Sequence, residues 1–354
     1  MRTTDFLIVG SGLAGTLLAL ELVKSGSSVT VLSDTTRPSS SKVAGGLFNP
    51  VTGKYLAKTW LADELFGGLE SYYTAWEQVL GTTFYHRTGL FRPFTGPEHK
   101  KSSLAQMLKH DLAPYVEVRP SSGFLNDAFF RAKAEGMFSP AAGWLDVPAF
   151  LRAAEAWLQG KAYREDTSFV YEELRLLPEG VQYRNWKAGS VVFCEGYYAH
   201  QNPFFNWLPF QPVKGETLIG VVEDYTVNTI VNQGKWLIPL GGNKVRLGAT
   251  YAWHSLDFLP TEQGRTELLE ALGKMIDRPF TLSEQQAGVR PSTRDRRPFL
   301  GKHPRHEQLY IFNGLGTKGV SLAPWFAVQL VRNLLHDELI HPEANIKRFY
   351  ALYS

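Results

Sequence analysis

The chain has 354 residues, 44% hydrophobic and 20% charged, and reads as globular and soluble, too long for one ordinary core and comfortable for two domains. Its formal charge of +3, from 37 basic against 34 acidic residues, neither demands nor excludes nucleic acid, because a basic patch can hide in a near-neutral total. The single cysteine, Cys194, excludes an internal disulfide and any Cys-rich zinc or iron–sulfur centre, and fits a reducing compartment.

The first apolar stretch, in "MRTTDFLIVG", is too short for a signal peptide and runs straight into a glycine turn. No stretch approaches the ~20 apolar residues of a membrane span. A cytoplasmic protein with no membrane partner is therefore expected. Phe6 to Val9 is an apolar run of strand type, and Gly10, Gly12 and Gly15 follow in G-x-G-x-x-G spacing. Leu13 to Lys24 carries a helical pattern that Gly26 ends, and Val29 to Leu32 is a second apolar run. Strand, turn, helix and strand in this order make a dinucleotide-binding unit. Gly10 makes the tight turn, Gly12 lets a pyrophosphate approach the backbone, and Gly15 lets the helix lie close to the strand. The helix N-terminus then offers unpaired N–H groups and partial positive charge to the phosphates. The residue closing the second strand should be acidic to hold ribose hydroxyls, but it is Ser33, with Asp34 next. Either residue can serve the ribose. The unit alone does not choose between a nicotinamide and a flavin, although its position at residues 10–15 leans toward FAD.

Next, "SSKVAGGLFNPVTGKYLAKTW" places small residues at Gly45 and Gly46, where backbone can approach a flat ring; Asn49, Lys54 and Tyr55 follow as candidates for the mouth of a site. "NKVRLGATYAWH", residues 243–254, alternates like a strand, with Arg246, Gly248 and Thr250 on one face. Tyr251 and His254 are pocket or rim residues on this reading. Residues 263–276 read as an amphipathic helix. "AGVRPSTRDRRPFLG", residues 287–301, crowds Arg290, Arg294, Arg296 and Arg297 between prolines, and "STRDRRP" reads as a turn with Asp295 partly neutralising its neighbours. Arg294, Arg296 and Arg297 read as a solvated, locally paired loop, and Arg294 alone keeps a functional reading beside an anionic pocket. Leu309 to Phe312 looks like a strand, Gly314, Gly316 and Gly319 form a loop, and residues 321–335 look like a helix. That helix start is a second anion site, with Lys318 beside it. No phosphate loop, nucleophile-elbow motif or H-E-x-x-H occurs, and the nine histidines are scattered.

Four blocks, in order, carry a family resemblance: "IVGSGLAG" at 8–15, "SKVAGGLFNP" at 41–50, "GWLDVPAFLRA" at 143–153, and "AGVRPSTRDRRPFLG" with "NGLGTKGVSLAP" at 287–324. With them the chain resembles the D-amino acid oxidase family of FAD-dependent oxidoreductases, the group of glycine oxidase and sarcosine oxidase. "VVFCEG" at 191–196 resembles the strand leading back to the flavin, with Cys194 and Glu195 where the family more often has small residues. "PVKGETL" at 212–218 matches the segment entering the substrate domain. The last pair of blocks is similar to the FAD domain of the bifunctional tRNA-modifying MnmC enzymes.

The resemblance implies an α/β chain: a FAD/NAD(P)-binding Rossmann-like domain with a parallel sheet, from about 1–75, 140–205 and 288–354. Interleaved with it is an α+β substrate domain with a mostly antiparallel sheet, from about 76–139 and 206–287. It implies noncovalent FAD held by Gly10, Gly12, Leu13, Ala14, Gly15, Ser33, Asp34, Ser41, Gly45, Gly46, Leu47, Val170, Gly196, Gly314, Gly316, Thr317, Lys318 and Gly319, with Cys194 a buried structural thiol. Hydride would pass from the carbon of a C–N bond to flavin N5. Arg290 matches the family arginine that grips a substrate carboxylate, against the competing reading of a structural arginine paired with a buried acid or carbonyls. Arg246 would be the basic residue above N5, and Tyr251 would line the pocket. A small amine or amino acid (glycine-like, D- or N-alkyl) is the expected substrate. A carboxymethylaminomethyl uridine in tRNA is the alternative, and a flavin-binding protein without turnover is the third possibility.

Overall fold

The computed structural model describes residues 1–53, 55–125, 129–131 and 135–353; Lys54 lies outside them. The strands and helices that position the site are, in chain order, β1 (Arg2–Val9), α1 (Leu13–Lys24), β2 (Val29–Ser33), β3 (Tyr163–Asp166), β4 (Trp186–Phe193), β5 (Val213–Val222), β6 (Lys244–Gly248), α2 (Glu262–Met275), β7 (Phe280–Arg290), β8 (Leu309–Asn313) and α3 (Gly319–His336). The three helices and the N-terminal strands fall where the apolar periodicity places them, to within two residues at each helix end. The strand expected over 243–254 ends at Gly248, so Thr250 and Tyr251 leave the ladder.

The first sheet has eight strands: β3-β2-β1-β4-β8 pair in parallel, Val181–Tyr183 and then Leu174–Leu176 add antiparallel to the amino half of β4, and Phe299–Lys302 pairs antiparallel with β8. The chain goes outward from β1 to β2 and then returns to the other side at β4. The carboxyl ends of β1 and β4 therefore flank a topological switch point, where a crevice opens. α1 is buried from Leu13 through Leu22, because it is sandwiched between this sheet and other helices. Leu17 and Leu18 share one core cluster with Phe150, Phe312, Phe326 and Leu330.

The second sheet has eight strands, β7-β5-β6 followed by Lys235–Gly241, Ile230–Gln233, Leu90–Pro93, Glu135–Ser139 and Glu117–Pro120. All its pairs are antiparallel except Ile230–Gln233 with Leu90–Pro93. One face packs on α2 through Leu218, Leu247, Leu268 and Leu272. Side chains alternate along a strand, so Val213, Gly215 and Thr217 of β5 and Gly288 and Arg290 of β7 face the cavity on the other side.

Candidate functional site

A continuous cavity of ≈ 2430 Å³ runs from the β1–β4 crevice to the face of the second sheet. Its walls come from both ends of the sequence. Gly10 to Ala14 form one wall and Gly314 to Leu322 another, and a Cβ on Gly319 would stand 3.4 Å from Leu13 Cδ2. Neither α1 nor α3 has a side-chain cap or an acidic residue in its first turn. Two helix N-termini thus present N–H groups and partial positive charge to one space. Gly10 turns with φ +104°, and a Cβ on Gly15 would stand 1.9 Å from the Gly10 carbonyl oxygen. The glycine spacing is therefore a requirement of backbone contact.

Ser33 and Asp34 both line the cavity at the end of β2. Ser33 Oγ accepts from Ser11 Oγ at 2.7 Å. The Asp34 carboxylate accepts from Ser168 Oγ, Thr36 Oγ1 and the Thr36 N–H, and Arg37 Nε lies 3.4 Å away. Ser168 and Thr36 together hold its carboxyl down to about 2, so it is an ionised acceptor at any ordinary pH. Glu195, at the end of the strand that meets Gly10, behaves in the opposite way. Its Oε1 accepts from Tyr171 Oη at 2.5 Å and its Oε2 from Asn202 Nδ2 at 2.7 Å. Burial nevertheless pushes the carboxyl up to about 7, although the residue keeps a face on the cavity.

At the second-sheet end, the Arg290 guanidinium lies 4.7 Å from the centre of the Tyr251 ring. Its Nη1 makes only long contacts, 3.3 Å to the Lys214 carbonyl and 3.4 Å to that of Thr250. Among the described residues no carboxylate pairs with it, and burial lowers its pKa. A Cβ on Gly215 would sit 2.0 Å from its Nη2, so the glycine makes room for it. Across the cavity, Lys318 Nζ donates to Thr59 Oγ1 at 3.2 Å, and burial, reinforced by Arg297 and Arg296, pushes the ammonium down to about 8.

The cavity brings together Gly10, Gly12, Leu13, Ala14, Ser33, Asp34, Ser41, Gly45, Gly46, Leu47, Gly196, Tyr251, Arg290, Gly314, Gly316, Thr317, Lys318 and Gly319, together with Asn49. Ser41 Oγ accepts from the Leu13 N–H at 3.1 Å. Gly15, Val170, Arg246, Tyr55 and His254 are not on the lining. Gly15 packs under Gly10, and the Val170 N–H donates to Tyr183 Oη. Arg246 is buried behind the Gly45–Gly46 wall, its Nη1 donating to the Ala44 carbonyl at 2.8 Å. Tyr55 is exposed. In the arginine-rich turn, Asp295 pairs with Arg348 and Glu343 with Arg297, while Arg297 lies 4.3 Å over the Trp60 ring. Arg296 and Arg297 line the cavity and Arg294 does not. Sequence reasoning noted Glu195 without a role and passed over Trp253 and Lys214. An aromatic pair two residues apart in "YAWH" was the available signal for Trp253.

The sequence matches the family described as DAO, FAD dependent oxidoreductase, over residues 5–332. It is 23% identical to the tRNA 5-methylaminomethyl-2-thiouridine biosynthesis bifunctional protein MnmC of Marinobacter nauticus, covering 93% of this chain and 55% of that protein. The chain thus spans about half the length of that relative. Glycine oxidase from Geobacillus kaustophilus superposes with a TM-score of 0.81 at 21% identity, over 99% of this chain and 98% of the other. Iminodiacetate oxidase from Chelativorans gives 0.78 at 21%, over 98% of each. Shared fold and matched sequence agree: the chain belongs to the DAO family of FAD-dependent oxidoreductases.

Proposed function

We propose that this enzyme oxidises the C–N bond of a small amine bearing a carboxylate, an amino acid or N-alkyl glycine, with noncovalently held FAD. The observation that carries this reading is Arg290, a half-buried guanidinium on the cavity wall with no acid partner among the described residues. An unpaired half-buried charge is costly, and a bidentate carboxylate would satisfy it. FAD fits the residues present. The cavity is long, the α1 and α3 N-termini are uncapped and free of acids, and the glycine backbone of Gly10 and Gly12 leaves space for a pyrophosphate. On this reading Gly10, Gly12, Leu13 and Ala14 hold the diphosphate, Ser33 and Asp34 the ribose, and Gly45, Gly46 and Leu47 with Gly314 to Gly319 the ring.

When bound, FAD supplies the two-electron acceptor. The chain's own task is placement. Arg290 orients the acid end, Tyr251 shields the guanidinium from water, and Lys318 with the α3 N-terminus places positive charge opposite. No strong base is required for a neutral amine.

Arg37, Lys42, Lys58 and Arg296 on the same lining favour a second reading, in which the amine is part of a tRNA nucleoside. Anaerobic bleaching of the flavin across amino acids, N-methyl amino acids and undermodified tRNA tests both. Bleaching by free N-methyl amino acids at ordinary concentrations supports the first, and bleaching by tRNA alone the second. A flavin that no amine reduces would leave only a binding protein.

A further inference from the structure

Beyond Arg290, the cavity wall carries two large aromatic side chains half in water. Tyr251 is 52% exposed and Trp253 54%. Both line the cavity, and their rings lie 6.4 Å apart at 26°. With the guanidinium 4.7 Å from the Tyr251 ring, three flat groups follow one another from the half-buried Arg290 to the exposed Trp253. The segment that bears them is pinned. Ala252 exchanges both backbone hydrogen bonds with Lys214, at 2.9 and 3.0 Å. The Lys214 side chain is 1% exposed, and its Nζ donates to Asp257 Oδ1 at 2.5 Å and to the Leu259 carbonyl at 2.6 Å. Glu216, also buried and on the same face of β5, accepts from the Thr261 N–H at 2.8 Å and from its Oγ1 at 2.7 Å. A buried lysine and a buried glutamate thus fix the loop from behind. Exposed aromatics on a fixed loop are preorganised to stack on a ligand.

We propose that Tyr251 and Trp253 form a stacking platform for a planar ring carried by the substrate, Arg290 taking the acid end and Trp253 selecting the ring end. This rests on the carboxylate reading of Arg290. The ring can belong to a free aromatic amine or to a nucleobase, and the chemistry of recognition is the same.

The test is isothermal titration of the FAD-loaded protein with acetate, indole-3-acetate and 3-methylindole. Indole-3-acetate is expected to bind roughly tenfold more tightly than acetate. Trp253→Ala should remove most of that gap and Trp253→Phe should keep most of it, with FAD content unchanged. Equal binding of the two acids by the wild type, or a gap that survives Trp253→Ala, overturns the platform. Failure of the Arg290 reading looks different: Arg290→Ala would leave both acids unaffected while 3-methylindole still binds in a Trp253-dependent way. Anaerobic titrations with N-benzylglycine and with 5-carboxymethylaminomethyluridine separate the two sources. The natural ring is of the kind whose affinity falls by a similar factor in Trp253→Ala, and a fall in neither counts against the platform.

Discussion

Arg290 and Glu195 show how burial acts in opposite senses on two charges of one cavity. The guanidinium has no carboxylate partner among the described residues, so its removal should be felt in substrate affinity. Arg290→Ala is expected to raise KM for a carboxylate-bearing amine by ~2–4 kcal/mol, tens- to several hundred-fold, and to leave KM for the decarboxylated amine little changed. Steady-state kinetics on N-methylglycine against dimethylamine reads this, and parallel effects on both would remove the anchor. Arg290→Lys keeps the charge but loses the fork, and should recover only part of the affinity. Glu195 has a folded pKa raised to about 7 from 4.5. The folded state therefore prefers the protonated acid. That stability is complete below the unfolded value and is lost as pH rises through about 7. Melting temperatures from pH 5 to 8 should show Glu195→Gln gaining on the wild type as pH rises. A constant difference would mean that the carboxyl is already ionised at the low end.

The elements of the first sheet were legible because each is written locally. A strand, a glycine turn and a buried helix occupy consecutive residues, and the turn admits only glycine at two places. Gly15→Ala drives a methyl into the Gly10 carbonyl. It should cost ~1–3 kcal/mol in a urea unfolding experiment and strip the protein of flavin colour. The helix over Glu262–Met275 was equally plain, and its cap adds a link that the sequence did not show. Thr261 Oγ1 accepts from the Gly264 N–H at 3.0 Å while donating to buried Glu216. Thr261→Ala should cost ~1–2 kcal/mol in the same measurement. What stayed hidden depends on distant pairing. Leu90–Pro93 adds in parallel to Ile230–Gln233, a pairing that no local pattern encodes. Tyr171 reaches Glu195 across 24 positions, and Lys318 reaches Thr59 across 259. The family resemblance places Arg246 above the flavin, whereas strand alternation gives only its face and could not show that its guanidinium reaches the Ala44 carbonyl.

For the whole molecule, the cavity is the place where two sheets and the N-termini of α1 and α3 meet, so a ligand there holds the fold together. At free FAD a hundred times its Kd, stability should rise by about 2.7 kcal/mol, visible as a melting temperature that climbs with FAD concentration. Acid and heat should release all the yellow colour into the supernatant, since the attachment is noncovalent; colour left on the precipitated protein would show a covalent bond. Colourless protein that FAD neither colours nor stabilises would refute the site.

The opposition of Leu13 and Gly319 across the cavity has a consequence for synthesis. A nascent chain on the ribosome carries the glycine turn long before the facing wall, Gly314 to Leu322, emerges. Translation stalled before β8 would leave half a binding site, with the carboxyl edge of β4 bare. The cavity is complete only once both walls have emerged, so capture of FAD reports that translation has passed Leu322.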